Sequence, residues 1–358
     1  MTPRRTGCRA CGHRVLSRVL DLGAVPAGLP GEPGFPLAMH LCGDCGLAQL
    51  ADDDTVTSEP RGVESRALRE QARDAVARVT AAGWLTGATV REFGSPHGGS
   101  WLELLEQCDI APAPGAADIV LDCFGLTHEP DQRAAFAERA AATLPGGVLL
   151  LQYHALASIV EHGQWNALQQ GHFAYYSIPA LVRLLADVGM RLVSAWDFAL
   201  HGGTTLVAAV HEHEAHHADS VIQHMQSAER HLIDPATLST LQSVADGHAV
   251  ALRRYLEHQR LAGRRVFAYG ATPQAVALFT RAGLDSGLVA AVADASPAKQ
   301  GRRMPGTDIA IISPDALVSA AADEVVLMDP DLSQELATQL PELEGRWVTD
   351  DWIVTHAG

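Results

Sequence analysis

The sequence lacks any unbroken apolar run near the roughly 18 residues that a membrane span requires, and no apolar leader opens it. These absences exclude a membrane-spanning helix and a membrane partner, and they give the expectation of a cytoplasmic protein. Basic residues are scarce: 26 Lys and Arg against 42 Asp and Glu leave a net charge of −16. That charge repels phosphate backbones and argues against nucleic acid as a partner, so a phosphorylated small ligand would need a local basic pocket. Internal repeats and low-complexity tracts are also missing, which leaves ordinary globular domains.

With 358 residues, 47% hydrophobic and 19% charged, the chain exceeds one ordinary core and is expected to form two or three domains. Its six cysteines are unevenly placed. Cys8-Arg9-Ala10-Cys11 and Cys42-Gly43-Asp44-Cys45 form two CxxC pairs about thirty residues apart, the spacing of a tetrahedral all-thiolate zinc site. Four thiolates fill the tetrahedron, so a zinc ion held by Cys8, Cys11, Cys42 and Cys45 would be structural. Disulfides are the competing pattern, disfavoured in a reducing cytosol. Cys108 and Cys123 stand singly and read as small core residues.

Beyond the cysteines, helical and strand patterns alternate, which builds a sheet covered by helices. An amphipathic helix is predicted over 64–82, with Leu68, Ala72, Val76 and Val79 at helical spacing. Strands follow at 89–93, 117–123, 147–152, 191–198 and 204–210, with helices at 131–143 and 178–189. Residues 214–262 read as two helices broken at Asp234-Pro235, where Asp caps and Pro fits the first turn. A second α/β unit begins at strand 265–269, continues through the Gly270-Ala271-Thr272 turn and a helix at 273–283, and adds strands at 288–293 and 324–328. The predicted organisation is therefore 1–58 as the cysteine module, 59–212 as an α/β core, 213–262 as a helical linker and 263–358 as a C-terminal α/β domain.

Taken together, the CxxC pairs with Leu20-Asp21-Leu22-Gly23 and Pro26 between them, His201-Gly202-Gly203-Thr204, Tyr269-Gly270-Ala271 and the run from Asp294 to Thr307 resemble the three-domain sugar C-methyltransferases of antibiotic biosynthesis. The resemblance covers nearly the whole chain. It implies a class I methyltransferase-like, truncated Rossmann core between the zinc module and a Rossmann-like C-terminal domain. It also implies a keto-deoxysugar substrate linked to a nucleotide.

In such enzymes the first core strand ends in a Glu-x-Gly-x-x-x-Gly loop that approaches S-adenosylmethionine, and Glu92, Gly94 and Gly98 match it. The next elements depart from the family. Only nine residues, 108–116, separate the helix at 100–107 from the strand at 117, too few for a strand of about 5 residues, a helix of about 11 and a further strand. Ala111 stands where the family has its ribose-binding acid. A Tyr-His-Glu-His run of the family is Gln169-Gln170-Gly171-His172 here, so His172 alone remains as base. A second family histidine is matched by His128, its Asn-Asn neighbours replaced by Cys123 and Phe124. A Tyr-rich family segment is represented only by Glu59-Pro60-Arg61-Gly62.

The candidate catalytic groups are accordingly His172 and His128, since imidazole titrates near neutral pH, with Tyr176 as a hydroxyl donor. His201, Tyr269 and Lys299 are the candidate substrate contacts. Three readings stay open. The first, favoured on the shortened cofactor wall, is an enzyme of natural-product biosynthesis that has lost S-adenosylmethionine and performs cyclisation, isomerisation or epimerisation of a small-molecule intermediate. The second is a C-methyltransferase with a minimal cofactor pocket, and the third a non-catalytic partner protein. Substrate identity and oligomeric state are not written in these residues.

Overall fold

The computed structural model describes residues 7–26, 34–51, 64–95, 98–214 and 218–356. Strands Leu16–Val25 and Phe35–Cys42 form an antiparallel hairpin, and Ala48–Leu50 adds to it. A fourth strand comes from far along the chain: Ala174–Tyr175 pairs with Ala48 and Gln49. The cysteine module is therefore closed by the same stretch that carries His172.

The central sheet has six strands in the order Ala111–Pro112, Thr89–Phe93, Ala117–Cys123, Thr143–His154, Thr204–His211, Met190–Phe198. All run in one direction except Thr204–His211, which is antiparallel to both of its neighbours. Helix Arg66–Ala81 starts where Ser65 Oγ accepts the Leu68 N–H, a side-chain cap of the usual kind. Its buried positions Leu68, Ala72, Ala75, Val76 and Val79 recur at helical spacing. Four of these, Ala72, Ala75, Val76 and Val79, cover the sheet face made by Val90, Leu121, Leu150 and Leu206. Helices Gln132–Ala142 and Ile178–Ala186 cover the other face, Phe136 and Leu181 packing with Val120, Leu149 and Leu151.

A helix of 27 residues, Pro235–Leu261, bridges to the third sheet. Asp234 caps it and Pro235 fills its first turn. Leu241 and Leu252 share one core with Leu20 of the hairpin and Val276 of the last unit. That unit is a five-stranded parallel sheet in the order Ile311–Ile312, Val292–Ala293, Val266–Tyr269, Glu324–Leu327, Trp347–Thr349. The α/β reading with a cysteine module thus stands, and no helix among the described residues is long and apolar enough to cross a membrane.

Some expectations need correction. The strand expected over 288–293 shrinks to Val292–Ala293, because the Leu288 and Val289 amides bond back to the Asp285 carbonyl and curl the chain. Between helix Leu102–Glu106 and strand Ala117–Cys123 the only regular element is Ala111–Pro112. Ala111 lies exposed on it, so the predicted loss of the third strand is matched among the described residues. Residues 59–62 lie outside them.

One ion pair anchors the central sheet. Arg139 Nε donates to Asp122 Oδ2 at 2.9 Å, with 2% and 0% of the two side chains exposed. Asp122 Oδ1 also accepts the Leu126 N–H, holding the turn that follows its strand. Burial pushes the Asp122 carboxyl up, and Arg139 pulls it down. Arg139→Met would leave a buried carboxylate without its cation, at a cost of about 3–5 kcal/mol. The expected result is a clearly lower urea midpoint with the slope unchanged; an unaltered midpoint would show that the pair anchors nothing.

Candidate functional site

In open α/β sheets, ligands gather beyond the carboxyl ends of the strands. Here that edge is formed by Phe93-Gly94, Cys123-Phe124 and His154-Ala155. Glu92 organises it first: its carboxylate accepts from Ser100 Oγ at 2.6 Å and from the Trp101 N–H at 2.8 Å, tying down the loop after the strand. Gly94 faces open space where a Cβ would stand, and Gly98 takes φ +86°, a conformation only glycine adopts without strain. Glu92 and Gly94 thus stand at the end of this strand, and Gly98 lies in the segment that leads to Ser100.

Two buried amides lie on the same side of the sheet. Alternation along Thr143–His154 puts Gln152 on the face of Val148 and Leu150, the face that helix Arg66–Ala81 covers. Gln152 Oε1 and both amide atoms of Gln71, on that helix, are buried without a hydrogen-bond partner among the described residues. Such orphaned groups are rare in folded proteins and point to a bound polar partner. Amide groups of this kind can pair with the ammonium and carboxylate of an amino-acid ligand. Beyond them the sheet ends at Ala111–Pro112.

The two predicted histidines also meet. His128 and His172 have ring centroids 4.5 Å apart and stand nearly perpendicular, at 85°. The Leu126–His128 turn presents the first; the Phe173 N–H to Thr127 carbonyl bond, 2.7 Å, holds the second's loop against it. His128 Nδ1 lies 3.0 Å from the Gly171 carbonyl. A carbonyl only accepts, so Nδ1 carries the hydrogen and Nε2 keeps its lone pair in the neutral ring.

Tyr176, expected as a catalytic donor, is a correction. Its hydroxyl donates to Gln132 Oε1, only 1% of it is exposed, and Phe136 and Tyr153 pack edge-on against its ring. It is a core residue that braces helix Gln132–Ala142. Tyr269 is a second correction: burial pushes its hydroxyl up to about 12, and it packs against Trp347 inside the last sheet. Lys299 does reach a cavity wall, but its Nζ donates to the Ala271 carbonyl at 2.9 Å and lies 3.3 Å from Asp294.

His201 sits with groups that sequence reasoning missed. Its φ is +55°, Phe124 (φ +64°) lies edge-on at 5.9 Å, and His154 lies at 6.5 Å. Asp331, from the last unit, accepts the His201 N–H at 2.7 Å, closing that unit onto the strand-end edge. His154 Nε2 meets Gln164 Oε1 at 2.9 Å. Burial, then the neighbouring His201, lowers the His154 pKa to about 4. Nothing in the local sequence marks His154 or Asp331, because their meeting depends on long-range packing.

The four cysteine sulfurs lie within 4.8 Å of one another. Cys8 and Cys45 are 3.5 Å apart, Cys11 and Cys42 3.6 Å. Zn–S bonds of about 2.3 Å in a tetrahedron give sulfur separations of about 3.8 Å, so the four residues fit a zinc ion. Arg9, between two of them, is buried: its guanidinium donates to the Leu50 and Pro130 carbonyls and lies 4.7 Å over the Phe173 ring. The metal knuckle is thereby linked to the residue after His172. Sequence reading passed over Arg9 because an arginine beside a cysteine ordinarily reads as surface.

Two outcomes follow from this geometry. Removing the metal with a strong chelator, or substituting Cys45→Ser, should lower thermal stability and broaden the NMR signals of His172 along with the cysteine loops; an undisturbed His172 would mean the knuckle is independent of the site. For pH, the folded protein keeps His154 neutral where the unfolded chain protonates it, so its contribution to stability falls as pH drops from about 6.5 to about 4. A histidine NMR titration should show no His154 protonation above about pH 5, and a midpoint near that of a free imidazole would contradict its burial.

Residues 199–350 match the family model described as the C-methyltransferase C-terminal domain. The C-methyltransferase NovU of Streptomyces niveus is 24% identical over 376 aligned positions, 90% of this chain and 89% of the relative. Among solved structures, magnesium protoporphyrin IX methyltransferase of Synechocystis PCC 6803 aligns with 40% of this chain and 84% of its own, at 14% identity and a TM-score of 0.31. An O-methyltransferase family protein of Burkholderia thailandensis aligns with 41% of this chain and 59% of its own, at 14% identity and a TM-score of 0.28. Over residues 199–350 the chain thus resembles the C-terminal domain of C-methyltransferases, and over nine-tenths of its length it is similar to one of them.

Proposed function

We propose that the protein is an S-adenosylmethionine-dependent C-methyltransferase of natural-product biosynthesis, acting on a carbon next to a carbonyl. The observation that carries this reading is the His128–His172 pair beyond the same strand ends that bear Glu92, Gly94 and Gln152. A carbon beside a carbonyl becomes nucleophilic once its proton is removed. His172 takes that proton, and the electron pair moves toward the carbonyl oxygen. The charge arising on His172 is met by His128, held by the Gly171 carbonyl in the tautomer whose Nε2 accepts. Positioned proton transfer of this kind contributes roughly 10²- to 10⁴-fold in rate.

S-adenosylmethionine, when bound, supplies the methyl group that the carbon takes up. Gln71, Gln152 and the Glu92-Gly94-Gly98 loop are the residues that would hold it, with the ribose left toward the exposed edge at Ala111. A structural zinc ion in the four-cysteine cluster belongs to the same proposal.

A second reading rests on the missing third strand: proton transfer without methyl transfer, as in an isomerase, epimerase or cyclase. It keeps His172 as base and returns the proton to carbon. Calorimetric titration of the full chain with S-adenosylmethionine and S-adenosylhomocysteine separates the two. The expected result is saturable binding of both, weakened by Gln152→Leu and Gln71→Leu and retained by His172→Ala. Absence of binding to the folded protein would overturn the methyltransferase and leave the second reading.

A further inference from the structure

A cavity of about 170 Å³ lies between the cysteine-module hairpin, the loop that carries His172 and the last α/β unit. Val25, Phe35 and Leu37 of the cysteine-module hairpin form one wall, Leu168, Gln169 and Gln170 of the His172 loop a second, and Ala271, Val276, Lys299, Arg302, Arg303 and Ile311 of the last unit a third. The middle wall leads within two residues to His172.

We propose that this cavity receives the non-reacting end of the acceptor substrate, and that the acceptor is an apolar molecule bearing one carboxylate. The inference rests on the C-methyl transfer proposed above and names its substrate class. Size is the first argument. An apolar cavity of about 150 Å³ holds a benzene ring, whereas pockets for larger ligands run to about 300–1,000 Å³. The space suits a ring or chain of that bulk and is small for a nucleotide.

Charge is the second argument. Three cations line the cavity, but two are committed. Lys299 is tied to Asp294 and to the Ala271 carbonyl, and Arg303 Nη1 donates to the Asp308 carbonyl at 2.6 Å. The guanidinium of Arg302 makes no hydrogen bond or ion pair among the described residues, and it is exposed at the rim. One uncommitted guanidinium matches the two oxygens of a single carboxylate. A diphosphate, with its greater charge, would draw on several cations, against a chain whose net charge is −16. Apolar walls with one placed polar group are the usual make-up of a small-molecule pocket.

The test uses the full chain, with 2-naphthoate, the neutral 2-naphthylmethanol and thymidine 5′-diphosphate as calorimetric probes. The expected result is one-to-one binding of 2-naphthoate, with the alcohol weaker by roughly tenfold, about 1.4 kcal/mol. Arg302→Gln, an exposed change that leaves folding intact, should weaken naphthoate by roughly the same factor and spare the alcohol. Val276→Trp should abolish binding of both, with native circular dichroism retained. Naphthoate binding indifferent to both substitutions would be adventitious and would overturn the proposal, as would tighter binding of the diphosphate than of naphthoate. S-adenosylhomocysteine is titrated in parallel: its failure to bind counts against methyl transfer alone, because the cavity result is read from the other probes.

Discussion

The buried contact between Asp122 and Arg139 is the constraint on which the rest of the structure hangs. It joins a central strand to the helix covering it, and through the Leu126 amide it fixes the turn that presents His128. The same helix carries Gln132, whose amide nitrogen donates to the Leu126 and Glu129 carbonyls while its oxygen accepts from Tyr176. Arg139 also lies 4.1 Å from the Phe93 ring centroid, so the strand bearing Glu92 shares the anchor. Desolvation offsets much of the net stability of a charge pair this buried, while loss of one partner is costly. Here the pair joins the two strand ends at Phe93 and Cys123 through one helix.

The cysteine module acts on the same edge from outside. Its sheet is completed by Ala174–Tyr175, and Arg9 reaches from the metal knuckle to Phe173 and Pro130. A module this small has little core of its own, and a metal held by the four cysteines would substitute for one. The consequence is that His172 stands on a loop with two independent supports, the knuckle and the Thr127 carbonyl. The last unit adds a third constraint through Asp331 and His201. Contacts from the cysteine module and from the last unit therefore converge on this strand-end edge.

Much of this was legible in the sequence. The CxxC spacing located the sulfur cluster, and periodicity placed helix Arg66–Ala81 and the long strands within a few residues. The shortened stretch 108–116 foretold the missing third strand from length alone. His128 and His172 were legible because each matches a histidine of the family that the sequence resembles. What stayed hidden depends on tertiary contacts. Tyr176 and Tyr269 look like functional hydroxyls until their burial is seen, and Gln71 and Gln152 look like ordinary polar residues until their orphaned amides are. Strands Ile311–Ile312 and Trp347–Thr349 are too short to show a period of two.

The central claim is that the strand-end edge still accepts a methyl donor although its adenosine wall is reduced. A crystal structure of the full protein soaked with S-adenosylhomocysteine addresses it most directly. The account predicts the amino-acid end of the ligand hydrogen-bonded to Gln71 and Gln152 above Gly94, with its ribose toward Ala111. Side chains packed across that edge, or ordered water bridging the two glutamines in place of the ligand at saturating concentration, would contradict it.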